Sequence, residues 1–248
     1  MEQKKEREKD LYHFVEEFLK VEESKGFGVD YTRQNLGKKG SKTDDSIKGL
    51  KIGMIDVGGV KEYKERFTNY FEVIGVEVKQ KSHNFTRDLG QTMGYSIFCH
   101  RLYYAFADIE KDQDISQMLD FASNLGIGII KINKDSPKNS EILLYSKLFN
   151  PDRNILLSVL DGPFPDKNNP GKRVWLEECI ICKGLVGLEE LREGKHWSKK
   201  NFIQINSKNK ISASDTNKHI QFIRVDSQKD RAQYFTICKD CRNNFSIL

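Results

Sequence analysis

Several kinds of segment are missing from this 248-residue sequence. No apolar run is long enough to form a membrane-spanning helix, and the charged stretch at 1–8 lacks the hydrophobic core of a secretory signal. The sequence also contains no internal repeat and no phosphate-binding loop that would tie it to a translocating motor. We therefore expect a soluble, globular protein in the cytoplasm, with no membrane partner.

Length and charge place weaker limits on the domain organisation and the partners of the protein. A hydrophobic content of 38% is enough for a core, and the length suits one medium-sized domain with a smaller one. The net charge of +5 says little, but residues 191–248 carry +7 and the rest of the chain carries −2. Within this basic segment, Lys195, Lys199 and Lys200 are candidates for contact with nucleic acid. A solvated basic face is the alternative.

The clearest local pattern is a strand-like stretch at 71–79. Its alternation predicts a buried strand on which Glu77 and Lys79 share one face, with the aliphatic residues on the other. A short apolar run upstream ends in Asp56. If the two carboxylates converge, they provide the oxygen ligands that Mg²⁺ prefers and leave positions for water and a phosphate oxygen. Lys79 would then neutralise the phosphate or orient the attacking water.

A further pattern follows this strand. Residues 86–101 can form a helix, which would place Gln91 and Tyr95 four positions apart on one face. The alternative is that Tyr95 packs in the core while Gln91 faces water.

The order of these motifs resembles that of the PD-(D/E)xK nuclease superfamily, and of its RecB-like branch in particular. The matching motifs are Gly-x-Ile-Asp at 53–56, Glu-x-Lys at 77–79 and Gln-x-x-x-Tyr at 91–95. The resemblance spans about residues 8–133. The chain departs from the family in having no proline before Asp56 and a 21-residue step from there to the Glu-x-Lys motif.

The resemblance implies an α/β fold with a restriction-endonuclease-like αβββαβ core, and cleavage of DNA with Mg²⁺ or Mn²⁺. In the family, the aspartate and the acid of the Glu-x-Lys motif bind the metal, which here implies Asp56 and Glu77. Lys79 and Gln91 would complete the catalytic set, supported by Tyr95.

Apolar spacing predicts the remaining elements of that core, which are helices at 5–24 and 115–125 and strands at 102–107 and 126–132. The first helix carries Glu16 and Glu17. Members of the superfamily often place a helix-borne acid near the metal, so either residue is a candidate for that position.

Four of the five cysteines form two Cys-x-x-Cys pairs, Cys179 with Cys182 and Cys238 with Cys241. Two thiolates at this spacing can share one tight turn, and two such turns complete the closed tetrahedral shell of a structural Zn²⁺. An iron–sulfur cluster and a pair of disulfides are the alternatives, although disulfides would require an oxidising compartment. The fifth cysteine, Cys99, is expected to fill the apolar face of its helix.

Two clusters of turn-forming residues divide the chain. They predict a nuclease domain at 1–135, a connecting segment at 136–172 and a small zinc-binding, basic module for nucleic-acid binding at 173–248. A second segment rich in lysine and glycine, 33–51, is predicted to be a loop that closes over DNA or lies at the surface.

Together these patterns predict a Mg²⁺-dependent DNA nuclease, either a restriction endonuclease or a repair or mobile-element nuclease. Two alternatives are a non-catalytic zinc-containing protein that binds nucleic acid and a nuclease that acts on RNA. A homodimer is expected if both strands of a duplex are cut, because each chain would carry one site.

Overall fold

The protein is represented by a computed structural model in two units. The described residues are 7–22, 24, 26–36, 54–64, 69–82, 84–109, 114–160, 163–165, 173–179, 182–189, 202–205, 211–212, 219–225 and 232–238. One compact unit comprises Met1–Lys61 and Glu72–Asn168, and the other comprises Glu62–Phe71 and Asn169–Leu248. Among the described helices, none combines the length and the apolar character needed to cross a membrane.

The described residues of the first unit form four α-helices and seven strands, two of which, β2 and β3, extend into the second unit. The helices are α1 (Tyr12–Lys20), α2 (Phe85–Gly94), α3 (Ile115–Leu125) and α4 (Arg153–Leu160). The strands are β1 (Tyr31–Leu36), β2 (Ile55–Lys64), β3 (Asn69–Lys81), β4 (Arg101–Asp108), β5 (Gly128–Lys131), β6 (Glu141–Leu144) and β7 (Pro163–Pro165). Single 3-10 turns occur at Glu8–Leu11, Tyr95–Ile97 and Pro137–Asn139.

Six of these strands form one mixed sheet in the order β1-β2-β3-β4-β5-β6. The pairs β1/β2 and β5/β6 are antiparallel, whereas β3/β4 and β4/β5 are parallel. Only four residues separate β2 from its hydrogen-bonded neighbour β3, too few for a parallel crossover, so this pair is a hairpin. The predicted mixed α/β class is confirmed, and the chain runs α-β-β-β-α-β from α1 to β4.

The main core lies between α1 and one face of this sheet. Its buried members are Leu11, Tyr12, Val15, Phe18, Leu19, Phe27, Val29, Val57, Ile74, Val76, Val78, Tyr103, Ala105, Ile130 and Ile132. Burying a large aliphatic or aromatic side chain of this kind contributes about 1.5–3 kcal/mol. Since Val76 and Val78 face α1, the alternating residues of β3 must face the other side of the sheet, where α2 packs.

Local capping explains where α3 begins and ends. The Asp114 side chain accepts a hydrogen bond from Ser116 N at 2.8 Å, which satisfies a donor at the first turn. Gly126 follows the helix with φ +78°, a left-handed conformation that a residue without Cβ adopts at low cost. The helix predicted at 115–125 is confirmed.

Several boundaries differ from those predicted. The helix after β3 ends at Gly94 instead of continuing to residue 101, because the chain turns there and His100 N donates to Val73 O at 2.8 Å, next to the start of β4. Residues 33–36 belong to β1 instead of a loop, and 37–51 lie outside the described residues. Within the predicted connecting segment, β6 adds an edge strand to the sheet and is followed by α4 and β7.

The second unit contains the remaining strands. They are β8 (Arg173–Glu178), β9 (Leu185–Glu189), β10 (Phe202–Ile205), β11 (Ile211–Ser212), β12 (His219–Val225) and β13 (Ala232–Cys238). An antiparallel hairpin is formed by β8 and β9, and the last four strands form a sheet in the order β11-β10-β12-β13. Strand β13, which ends at Cys238, contacts both β8 and β9.

Candidate active site

Strand β3 positions the predicted acid and base as its alternation requires. Lys79 Nζ lies 2.6 Å from Glu77 Oε1, so the two side chains share one face of the strand. The Glu77 side chain is 1% exposed and that of Lys79 is 15% exposed. The ammonium group therefore neutralises a carboxylate that is almost fully removed from water.

Asp56 lies beside this pair because β2 and β3 are neighbours in the sheet. The backbone N–H of Val78 donates to Asp56 Oδ2 at 2.9 Å, which ties the aspartate to the residue between Glu77 and Lys79. The hydroxyl of Tyr12, on α1, donates to Asp56 Oδ1. The two predicted carboxylates are thus brought together, as the sequence motifs led us to expect.

The helix after β3 adds the third motif. Gln91 Nε2 donates to Tyr95 Oη at 3.1 Å, so these residues share one face, as predicted from their spacing. Tyr95 Oη lies 2.8 Å from Glu77 Oε2 and 2.9 Å from Met54 O. A hydroxyl has one proton, so it donates to one of these oxygens at a time. Tyr95 is both buried in the core and in contact with the site, which combines the two interpretations made from sequence.

The acids predicted on the first helix lie elsewhere. Glu16 accepts a hydrogen bond from Gln34 Nε2 at 2.6 Å on the exposed surface, and Glu17 lies 3.6 Å from Lys20. The acid that approaches the site is instead Glu8, in the 3-10 turn before α1, with Oε2 3.6 Å from Lys79 Nζ.

Sequence reasoning therefore missed two contacts, those of Glu8 and Tyr12. A signal for Tyr12 was present, because it falls on the apolar stripe of α1, three residues before the buried Val15. A buried tyrosine hydroxyl requires a hydrogen-bond partner, so its position on the stripe pointed to a polar group beneath the helix. Glu8 lies in the 3-10 turn that precedes α1.

The electrostatics of the site are dominated by burial and by the two adjacent carboxylates. Burial, and then the charge of Asp56, raise the pKa of Glu77, while the hydrogen bonds from Lys79 and Tyr95 oppose this shift. Burial lowers the pKa of Lys79, but the hydrogen bond and charge of Glu77, together with the charges of Glu8 and Asp56, more than offset it, so the pKa is raised overall. Burial and the nearby carboxylates also raise the pKa values of Tyr12 and Tyr95, so both hydroxyls stay protonated donors.

The donor set of this cluster suits a hard divalent cation. Each of the four oxygens of Asp56 and Glu77 has one hydrogen-bond contact, which leaves lone pairs for a cation. Within the described part of the chain, no three His, Cys, Asp or Glu side chains are arranged to hold a metal ion. Mg²⁺ is usually bound by only one or two protein carboxylates, together with water and substrate phosphates. The pair of acids therefore fits Mg²⁺ better than it fits an ion that needs a closed protein shell.

The first cysteine pair lies at the turn between β8 and β9. Cys179 N donates to Gly184 O at 2.8 Å, and Lys183 N donates back to Cys179 O at 2.9 Å. Lys183 has φ +63°, the left-handed conformation that tightens this turn. Cys179 and Cys182 are therefore held on one short hairpin turn, as the spacing predicts.

The other predicted ligands are only partly described. Cys238 is the last residue of β13, and Cys241 lies outside the described residues, as do Lys195, Lys199 and Lys200. Cys99 is fully buried, but it lies after the helix instead of on its apolar face, and a Cβ at Gly75 would come within 2.8 Å of its sulfur. Burial raises the pKa of the Cys99 thiol, which keeps it unreactive.

Comparison with known proteins adds little. No family model matches the chain, and no curated protein matches it. A solved structure of a protein of unknown function from Silicibacter pomeroyi is similar, with a TM-score of 0.36 and 12% identity over 60% of this chain and 79% of that one. So low a score supports no inference about fold or activity.

Proposed function

We propose that this chain is a Mg²⁺-dependent DNA nuclease with a restriction-endonuclease-like core. The observation that carries the proposal is the cluster of Asp56, Glu77 and Lys79 on two neighbouring strands. Asp56 is bonded to the amide of Val78, and Lys79 lies 2.6 Å from Glu77, so three charged groups meet at one place in the sheet. Residues on the following helix complete the order of motifs on which the family resemblance rests.

The charges of the cluster favour a cation. The Lys79 ammonium group lies 2.6 Å from Glu77 and 3.6 Å from Glu8, and the charge of Asp56 also acts on it. Among the described residues of the cluster, acidic groups therefore outnumber basic ones, and Glu77 is almost fully buried. A divalent cation would relieve this excess of negative charge, which is the physical reason for assigning one here.

Each side chain then has a defined part in phosphodiester hydrolysis. Asp56 and Glu77 would hold the cation, which when bound polarises the phosphate and lowers the pKa of a coordinated water. Lys79 stays charged and keeps part of its surface open, so it can pair with the phosphate or orient the attacking water. Tyr95, hydrogen-bonded to Gln91, orients the second oxygen of Glu77.

The second unit is proposed to hold a structural Zn²⁺ through Cys179, Cys182, Cys238 and Cys241. Two observations support this assignment: the first pair shares one hairpin turn, and β13, which ends at Cys238, contacts both strands of that hairpin. Its basic residues are proposed to bind DNA, and two chains would act together if both strands of a duplex are cut.

The nuclease proposal is tested by incubating the purified chain with supercoiled DNA, linear DNA and RNA in Mg²⁺ or Mn²⁺. We expect metal-dependent DNA cleavage that is lost in Glu77→Gln and Lys79→Met. Glu72→Gln is the matched control, because Glu72 is a second buried glutamate of β3 paired with Arg101 away from the cluster. Cleavage of RNA alone would change the substrate class, and tight binding without cleavage would favour a non-catalytic protein.

The zinc proposal is tested by measuring the metal content of the purified chain. We expect about one Zn²⁺ per chain, since four thiolates complete one tetrahedral shell. Cys179→Ser should remove it, whereas Cys99→Ser should not. Iron in place of zinc would indicate a cluster, and a metal-free chain would contradict the proposal.

A further inference from the structure

A side chain outside the sequence motifs contacts the proposed metal site. Tyr12 lies 44 residues before Asp56, and its hydroxyl donates to Asp56 Oδ1. We propose that Tyr12 is a positioning residue that fixes the Asp56 carboxylate in the orientation that binds a divalent cation, and so sets the affinity of the site for that cation. The inference rests on the proposed function for the identity of the ligand.

The position of the Tyr12 hydroxyl is fixed by packing. Tyr12 is 4% exposed, and its ring belongs to the core cluster between α1 and the sheet, with Val15 and Phe18 of the same helix. A ring enclosed in this way cannot move its hydroxyl without repacking its neighbours. The hydroxyl is therefore a rigid donor, which is what the positioning of a ligand requires.

Two donors from different elements hold the two oxygens of Asp56. Val78 N, on β3, bonds Oδ2 at 2.9 Å, and Tyr12, on α1, bonds Oδ1. A carboxylate held at both oxygens cannot rotate without breaking one of the bonds. Loss of the Tyr12 hydroxyl would leave Oδ1 free to turn, so the carboxylate would have to be ordered again when a cation binds.

The other acid of the site is held in a similar way from the opposite face of the sheet. Tyr95, just after α2, lies 2.8 Å from Glu77 Oε2, and Lys79 holds Oε1. One buried tyrosine, on α1 or just after α2, therefore contacts each of the two acids. Tyr95 belongs to the Gln-x-x-x-Tyr motif. Tyr12 makes the equivalent contact with Asp56 but belongs to no sequence motif.

The contact that Glu8 makes with the site differs from that of Tyr12. Glu8 approaches Lys79 at 3.6 Å with 48% of its side chain exposed. A contact of this length at the surface is weak and screened by salt. Of the two, the buried Tyr12 is the one able to impose a fixed geometry on the site.

The test is Tyr12→Phe in the full chain, which keeps the ring and removes the hydroxyl. Mn²⁺ binding is measured by calorimetry without DNA, and cleavage is measured against Mg²⁺ concentration. We expect the Kd for Mn²⁺ to rise by about 10-fold or more, as is typical when a group that orients a metal ligand is lost. The Mg²⁺ concentration for half-maximal cleavage should rise in parallel, while the rate at saturating Mg²⁺ changes little.

Tyr103→Phe is the matched control. Tyr103 is also buried in the core cluster, but its hydroxyl accepts a hydrogen bond from Ser146 N at 3.3 Å. Its loss should lower the melting temperature without changing the Kd for Mn²⁺. Equal Kd values for Tyr12→Phe, Tyr103→Phe and the wild type would overturn the inference.

A second readout needs no metal. The melting temperatures of Tyr12→Phe, Asp56→Asn and the double variant form a cycle, and we expect a non-additive result because the two groups are hydrogen-bonded. If Tyr12→Phe melts below the assay temperature, the Mn²⁺ measurement is repeated on all the variants at a temperature below its melting point. Mn²⁺ binding without cleavage by the wild type would contradict the nuclease proposal but not this inference; no Mn²⁺ binding would contradict both.

Discussion

Two buried glutamates on β3 have opposite surroundings. Glu72 accepts a hydrogen bond from Arg101 Nε at 2.9 Å, and Arg101 Nη1 also donates to Ser146 O at 3.0 Å. Glu77, five residues later, pairs with Lys79 at 2.6 Å but also lies beside Asp56. The Glu72–Arg101 pair joins β3, β4 and the chain after β6. Among the described residues at Glu77, the acids outnumber the base.

The difference teaches that a buried ion pair does not by itself indicate an active site. Arg101 neutralises Glu72 through Nε while its Nη1 donates to a backbone carbonyl, so this pair joins parts of the fold. Among the described residues, the cluster at Glu77 has more acids than bases in a poorly hydrated place, an imbalance that the proposed cation would relieve. Strain of this electrostatic kind is typical of sites that hold a ligand.

The largest expected difference between the two glutamates is in cleavage. Glu77→Gln should reduce metal-dependent DNA cleavage by at least about 100-fold, because it removes a charged group that would stabilise the reacting phosphate through the cation. Glu72→Gln should leave the rate near that of the wild type. Single-turnover cleavage below the melting temperatures of all three proteins measures this, and an equal loss in both variants would remove the distinction.

The next difference concerns stability. Arg101→Met removes a hydrogen-bonded positive charge from beside the Glu72 carboxylate, whose side chain is 10% exposed, and should lower the free energy of unfolding by about 3 kcal/mol. Lys134→Met is the control, because Lys134 pairs with Asp108 at 3.4 Å on the surface and its loss should cost less than about 1 kcal/mol. Urea unfolding measures both. A smaller loss in Arg101→Met than in Lys134→Met would show that the Glu72 pair is not structural.

Stabilisation by a metal ion should distinguish Glu77 from Glu72 in the absence of DNA. Mn²⁺ at about 100 times its Kd should stabilise the wild type by about 2.7 kcal/mol, because it binds only the folded chain. The shift should persist in Glu72→Gln and disappear in Glu77→Gln. Thermal melts with Mn²⁺ and with a chelator provide the measurement, and a shift that survives Glu77→Gln would place the cation elsewhere.

The smallest expected effect is on pH dependence in the metal-free protein. Burial and Asp56 raise the pKa of Glu77 above its ordinary value of 4.5, so the folded chain binds this proton more tightly than the unfolded chain. The stability from this group is fully present below pH 4.5 and is lost as pH rises through the folded pKa. Glu77→Gln should therefore raise the melting temperature at neutral pH and flatten its pH dependence.

Melting in a chelator at a series of pH values measures this effect, with Glu72→Gln as the comparison. A lower melting temperature for Glu77→Gln than for the wild type at neutral pH would contradict the electrostatic explanation. It would mean that the contacts of Glu77 with Lys79 and Tyr95 outweigh its burial and its repulsion by Asp56.

Much of the candidate site could be predicted because its main contacts are local in sequence. Glu77 and Lys79 meet through the two-residue period of a strand, and Gln91 and Tyr95 meet through the turn of a helix. The same periods predicted the approximate positions of the helices and strands. Boundaries were less accurate, as at Gly94, because contacts with β3 decide where the chain leaves the helix.

The contacts that could not be predicted join distant parts of the chain. Tyr12 reaches Asp56 across 44 residues, and Glu8 reaches Lys79 from a turn that precedes the helix. No spacing rule links such pairs, because their approach depends on how α1 crosses the sheet. Glu16 and Glu17 were plausible from their helix alone, and the packing of that helix directs both to the surface.

The sequence by itself determined the face shared by Glu77 and Lys79, the alternation that buries β3, and the spacing that puts Cys179 and Cys182 on one turn. These follow from backbone periods and turn geometry that act over a few residues. Only the tertiary structure decided that Asp56 accepts hydrogen bonds from the Val78 amide and the Tyr12 hydroxyl, and that Glu72 pairs with Arg101. Those contacts depend on strand order and on the side of the sheet that each helix covers, which are set by the packing of the whole core.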